Sequence, residues 1–202
     1  MDAEQPLNET EALFTEESYD DRQFASVSCQ DAELKDIEFF QCRFDGCRFL
    51  RTTFRQCRFE QCVFEKCDVS LLKVPESSFI GVRFLHSKTL GIDWTQAATP
   101  LTLAFQWSNI SHSMFMRLSL QRLEMVECVA REVDFTGTNL TRANLGKTDF
   151  LGSRFADTNL SYADFSKAVN YAIDPRTNRL KKAVFSMPEA VSLLSAFDIV
   201  LK

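Results

Sequence analysis

The stretch FFQCRFDGCRFLRTTFRQCRFEQCVFEKC, residues 39–67, places a phenylalanine at every fifth position: Phe39, Phe44, Phe49, Phe54, Phe59 and Phe64. A helix repeats its buried face about every 3.6 residues and a strand every second one. A strict five fits neither. The chain must instead turn a corner after each short straight segment, and four such corners close a square coil of twenty residues.

The same period runs back from this stretch through Leu34, Cys29, Phe24 and Tyr19 to Phe14, and forward through Val69, Val74, Phe79, Phe84 and Thr89 to Trp94. A second register follows: Phe105, Ile110, Phe115, Leu120, Met125, Ala130, Phe135, Leu140, Leu145, Phe150, Phe155, Leu160 and Phe165. Trp94 and Phe105 are eleven residues apart, one more than two repeats, so an extra residue near Pro100 marks a bulge or corner defect within 95–104. Two positions before each centre the side chain is small: Cys42, Cys47, Thr52, Cys57, Cys62 and Cys67, then Thr138, Ala143, Thr148, Ser153, Thr158 and Ala163. One small and one large inward side chain per segment is what a narrow, filled tube requires, because two large ones would overpack it. The other three positions point outward.

This alternation, A(D/N)LXX in its commonest form, resembles the pentapeptide repeat. Ala143-Asn144-Leu145, Thr158-Asn159-Leu160 and Ala163-Asp164-Phe165 carry the resemblance, which covers about residues 14–168. It implies an all-β solenoid, a right-handed quadrilateral β-helix, built as one quasi-linear unit. The expected organisation is an acidic, flexible N-terminal segment over 1–13, the β-helix over 14–170, and a C-terminal cap or dimerisation segment over 171–202.

Composition is that of a chain able to bury a continuous core: 202 residues, 45% hydrophobic, nineteen phenylalanines and only six glycines. The acidic N-terminus has neither a basic start nor an apolar stretch, so it does not read as a secretory signal, and no apolar run approaches membrane-spanning length. A cytoplasmic protein without membrane contact is expected.

The seven cysteines recur at the small inward slot, with Cys29 at a centre; no CxxC is present, and His86 and His112 are unaccompanied. Buried reduced thiols acting as small hydrophobes are the expected reading, with no metal and no cofactor. Cys42 and Cys62, twenty apart, should stack at about the 4.8 Å strand spacing. No phosphate loop, nucleophile elbow or HExxH occurs, and a filled tube offers no concave pocket of the usual kind, so no enzyme is expected.

Charge is uneven. Residues 1–21 hold eight acids and no base, which leaves twenty acids against twenty-three bases in the remainder of a chain of net charge −5. Arg43, Arg48, Arg51, Arg55 and Arg58 encircle one coil. Stacking at twenty residues should place Arg48 beside Asp68, Asp68 beside Lys88, and Glu38 beside Arg58 as ion-pair ladders. Those arginines point to different faces without an aromatic cluster, so direct nucleic-acid binding is not expected. In the second half Asp134, Asp149 and Asp164 precede their centres, where a corner hydrogen-bonding role competes with a partner-binding one. A carboxylate array can imitate DNA phosphates toward a basic groove.

The tail has different grammar. Ser186 and Glu189 form an S-x-x-E capping box with Pro188 in the first turn, and Ala190, Leu193, Leu194 and Phe197 follow at helical spacing. A short amphipathic helix over about 187–197 is predicted, followed by a strand through Ile199, Val200 and Leu201. An open solenoid end exposes core and strand edges, so this helix should cap its own coil, pair with a second copy, or both. Leu193, Leu194, Phe197, Ile199 and Leu201 are the cap or dimer candidates.

Residues 168–175, AVNYAIDP, and 185–190, FSMPEA, are similar to the tails of the topoisomerase-protecting pentapeptide proteins, most like the albicidin-resistance and microcin-immunity members and more distantly Qnr. That resemblance implies a homodimer joined head to head through C-terminal elements. It also implies a rod that imitates DNA and binds DNA gyrase, with topoisomerase IV as a second candidate target, to relieve a peptide toxin or antibiotic. Asp134, Asp149 and Asp164 are the candidate gyrase contacts. Qnr proteins carry two projecting loops, and here only the slip near Pro100 interrupts the coils. The repeat alone is equally compatible with a generic interaction scaffold.

Overall fold

The computed structural model of the chain describes residues 14–197 and residue 199. The N-terminal segment 1–13 and, of the strand predicted from sequence, Val200 and Leu201 lie outside the described residues. The described chain winds as a parallel β-solenoid of about eight coils. Three-residue strands stack on equivalents twenty residues later: Tyr19 on Phe39, Phe24 on Phe44, Leu34 on Phe54, and Phe39 on Phe59.

Four faces result, named by their centres. The first runs through Leu34, Phe54, Val74, Trp94, Phe115, Phe135 and Phe155. The second runs through Tyr19, Phe39, Phe59 and Phe79, then Leu120, Leu140, Leu160 and Leu180. The third runs through Phe24, Phe44, Phe64, Phe84, Phe105, Met125, Leu145, Phe165 and Phe185. The fourth runs through Cys29, Phe49, Val69, Thr89, Ile110, Ala130 and Phe150. Apart from half-buried Phe24, Leu180 and Phe185, these side chains are buried. Aromatic centres stack up the first three faces, with ring centroids 4.5 Å apart for Phe44 and Phe64, 4.9 Å for Phe39 and Phe59, and 5.1 Å for Phe135 and Phe155. Such pairs contribute roughly 0.5–1.5 kcal/mol each beyond the area they bury.

The small inward residue does more than leave room. Its thiol or hydroxyl donates to the carbonyl of a centre residue in the coil below: Cys62 Sγ to Phe39 O at 3.3 Å, Ser77 Oγ to Phe54 O at 2.8 Å, Thr138 Oγ1 to Phe115 O at 2.7 Å and Thr148 Oγ1 to Met125 O at 2.8 Å. Cys, Ser and Thr are therefore interchangeable small donors that satisfy a buried acceptor. Thr89, the weakest centre in sequence terms, is fully buried and directs its hydroxyl at Asn109 O, 3.2 Å away.

Where an Asp or Asn precedes a centre, two residues build the corner. The Asp or Asn before a centre accepts the backbone N–H two positions on, as Asn139 does from Thr141 at 3.1 Å and Asp164 from Ser166 at 2.8 Å. The second residue after a centre takes a left-handed conformation, including bulky Leu71 (φ 56°), Trp107 (φ 51°) and Tyr162 (φ 62°). That conformation costs a non-glycine residue roughly 1 kcal/mol. The corner N–H is still used, as Gln41 N to Glu60 O at 2.8 Å shows.

The register slip is one 21-residue coil, with Val82 paired to Leu103 and Phe84 to Phe105. The extra residue is absorbed on the second face after the Trp94–Gln96 3-10 turn, where Ala98 N bonds Ser77 O and Thr102 N bonds Phe79 O around a cis Thr99–Pro100 peptide. The twenty-residue step resumes at Phe105, which pairs with Met125.

Three expectations are corrected. The solenoid does not stop near residue 170: Val184–Phe185 pairs in parallel with Asp164–Phe165, Tyr171 and Ile173 are buried, and Phe185 stacks on Phe165 at 5.1 Å. The coil continues with altered spacing, because Tyr171 and Ile173 replace the fifth-residue centres. The tail helix is a 3-10 helix, Glu189–Phe197, beginning two residues later than expected. Its supposed capping pair instead fastens it to the last coil: Ser186 Oγ accepts Lys167 N at 3.1 Å and Glu189 Oε1 accepts Asn170 N at 2.7 Å. The arginine ladders stack as backbone but do not pair as expected. Asp68 turns to Ser70, while Arg51 meets Asp31 at 2.5 Å, Arg55 meets Glu33 at 3.1 Å and Arg43 meets Glu65.

Candidate interaction surfaces

A tube filled by its own side chains leaves functional chemistry to the outward positions. Among the described residues no group of three or more His, Cys, Asp or Glu is placed to hold a metal ion, and no helix is long and apolar enough to cross a membrane. An open groove beside Asp31, Arg51, Leu71 and Lys73 follows the corner between the fourth and first faces, and the Arg51–Asp31 pair occupies its wall. The hydrogen bond from Arg51 holds the Asp31 carboxyl below its usual range.

The seven cysteines are all buried and none forms a disulfide. Burial pushes Cys57 up to about 11 and Cys62 and Cys128 up to about 12. In the Cys47–Cys67 stack the bond between the two thiols is the largest influence, lowering the first and raising the second.

Asp134, Asp149 and Asp164 are not brought together. They stand on the first, fourth and third faces respectively, each half-buried and tied into its corner. Asp134 accepts Thr136 N at 2.8 Å and Asp164 accepts Ser166 N at 2.8 Å. Asp149 accepts Leu151 N at 3.1 Å and Asn170 Nδ2 at 2.8 Å, and pairs with Arg131 at 2.7 Å. Burial raises the Asp149 carboxyl, but the bonds from Asn170 and Arg131 outweigh it and hold the group below its usual range.

Two charge groups share one face, and sequence reading by halves missed both. On the second face the outward residues of the first coils include Asp20, Asp21, Glu38 and Glu60, the last paired with Arg58 at 2.7 Å. Beyond the slip the same face presents Arg122, Arg142, Arg179, Lys181 and Lys182 and no acid. The signal was present at a spacing of twenty: Arg122, Arg142, Tyr162 and Lys182 occupy successive copies of one corner position.

At the C-terminal end Leu193 packs against the core, whereas Leu194 (38% exposed), Phe197 (50%) and Ile199 (52%) face solvent with Val184, Met187 and Val191. Leu201 is outside the described residues. Trp107, half exposed, stacks on His86 with ring centroids 4.8 Å apart.

Comparison with known proteins agrees with this geometry. A family profile described as a pentapeptide repeat region matches residues 37–115, and one described as pentapeptide repeats matches residues 134–169. No curated protein sequence matches. Among solved structures, a trypsin-treated variant of QnrB1, a plasmid-mediated fluoroquinolone resistance protein, is similar with a TM-score of 0.73 at 17% identity, over 89% of this chain and 100% of that one. A second trypsin-treated variant gives 0.60 at 21% identity, over 92% and 90%. HetL, a pentapeptide repeat protein involved in heterocyst differentiation regulation in the cyanobacterium Nostoc, gives 0.52 at 13% identity, over 86% and 89%. These likenesses concern the fold. With the two repeat profiles together spanning more than half of the chain, and its coils built on the five-residue period, the chain belongs to the pentapeptide-repeat proteins.

Proposed function

We propose that the protein is a non-enzymatic, cytoplasmic binding rod that associates with DNA gyrase, and with topoisomerase IV as a second target, and protects the enzyme from a peptide toxin or antibiotic. The observation that carries this reading is the C-terminal end of the rod. A last coil fastened by Ser186 and Glu189 presents Leu194, Phe197 and Ile199 outward, and apolar surface gathered there favours a second copy of the same end. Two rods joined in this way match the dimer that the tail resemblance implies.

The contact with gyrase belongs on the acid-bearing part of the second face, where Asp20, Asp21 and Glu38 follow one another along the rod. Asp134, Asp149 and Asp164 are dropped from that contact, because three different faces cannot meet one groove. Residues 103–185 hold eleven lysines and arginines against eight acids, so this half does not imitate a polyanion by net charge. Binding would compete with DNA or remodel the gyrase–DNA complex, so that a poison leaves the cleaved state.

The test titrates purified protein into gyrase cleavage reactions containing albicidin, a microcin-type poison or a fluoroquinolone. Loss of poison-stabilised cleavage is expected for at least one class. Unchanged cleavage, at concentrations where the protein is dimeric, would favour the generic interaction scaffold, which the fold accommodates equally well.

A further inference from the structure

The second face changes sign at the slip. Its last four coils are joined in parallel at Ser119, Asn139, Asn159 and Arg179, so their outward side chains form one flat ribbon. That ribbon carries Arg122, Arg142, Arg179, Lys181 and Lys182, all exposed. Among the described residues none of these five has a carboxylate partner within 4.0 Å, whereas six of the chain's other arginines do. Between the bases lie small hydrogen-bonding side chains and one exposed aromatic, Tyr162. Its ring sits 5.5 Å from the Arg142 guanidinium and 5.9 Å from Lys182 Nζ.

The corner positions add a second argument. Arg122 (φ 63°), Arg142 (φ 60°), Tyr162 (φ 62°) and Lys182 (φ 55°) all occupy the left-handed conformation, where glycine or asparagine costs least. The coil does not need long cations there, and the fold uses glycine at equivalent corners such as Gly81, Gly137 and Gly152. Unpaired cations held side by side repel one another, and an anionic partner removes that cost.

We propose that this ribbon binds the phosphate backbone of duplex DNA. Coils stacked at about 4.8 Å make it roughly 14 Å long, the axial span of about four phosphates of one strand. Arg and Lys, with Ser, Thr, Asn, Gln and Tyr between them, are the side chains that contact phosphate and sugar, and nothing on the ribbon is shaped to read bases. Binding is therefore independent of sequence and strongly dependent on salt. The inference stands apart from the gyrase reading and reverses the sequence-based expectation of no direct nucleic-acid contact. That expectation came from arginines on several faces, whereas these bases share one.

The test measures binding of the full chain to a fluorescently labelled 20-base-pair duplex of arbitrary sequence by anisotropy, across a salt series. Wild type should bind with log affinity falling against log salt at a slope of about −3 to −4.5. The triple variant Arg142→Gln, Lys181→Gln, Lys182→Gln should bind at least about tenfold more weakly, with a slope shallower by about 2.7. A control that removes as many charges elsewhere, Arg51→Gln, Arg55→Gln, Lys73→Gln, should bind as wild type. Five of the six sites are exposed and Arg55 is half-buried, and unchanged thermal unfolding confirms intact folds. Absence of binding at low salt, or equal losses in both variants, overturns the proposal. So does salt-sensitive self-association without DNA binding, since the acidic part of the same face on a second copy would then be the partner.

Discussion

Thr138 shows what a single position must supply. Its side chain is fully buried and its hydroxyl donates to Phe115 O, so replacement by valine keeps the shape and leaves that carbonyl only the longer bond from Leu118 N, at 3.3 Å. Thr138→Val should cost about 0.5–1.5 kcal/mol in urea unfolding, while Cys62→Ser, which keeps a donor, should cost less. Equal costs would contradict the donor role. The thiols make a second prediction. Burial raises Cys57, Cys62 and Cys128 above the ordinary thiol value of about 8.5, so the folded chain holds protons that the unfolded chain releases. Their contribution is intact below about pH 8.5 and is lost as pH rises toward 11–12. The urea midpoint under reducing conditions should fall over that window, and the triple serine variant should flatten the fall; an unchanged slope would contradict this. The size of these residues was readable from their spacing. Their donor role was not, because the acceptor lies twenty-three residues away across a corner.

The coil and the cap are the informative elements. The five-residue period made the centres, the four faces and the slip near Pro100 legible, because burial of one large side chain per segment is a local, repeated demand. The final coil escaped notice because Tyr171 and Ile173 break the count while still filling the tube. The S-x-x-E signal was misread for a similar reason: Ser186 and Glu189 accept backbone N–H groups of the neighbouring coil, a tertiary use that a helix-based reading does not contain. At this scale the account predicts that Leu194→Glu with Phe197→Glu yields a folded, soluble monomer by sedimentation velocity. Persistence of a dimer would remove the cap from the interface, and a wholly unfolded product would make it a lid for its own coil instead.

For the molecule as a whole, what matters is how charge is distributed over four faces rather than along the sequence. Reading along the chain singled out Asp134, Asp149 and Asp164 in the second half. Winding it scatters Asp134, Asp149 and Asp164, pairs Asp149 with Arg131 and Glu127 with Lys147, and gathers five bases on one ribbon. The same winding puts Asp20, Asp21 and Glu38 on the opposite end of that face. The rod thus carries an acid-bearing strip and a base-bearing strip on one face. The most direct measurement is binding of the purified full chain to immobilised, DNA-free gyrase. The account predicts saturable binding that Asp20→Lys with Glu38→Lys weakens at least tenfold and that Asp134→Lys leaves unchanged. No saturable binding, at concentrations where the chain is dimeric, would contradict it.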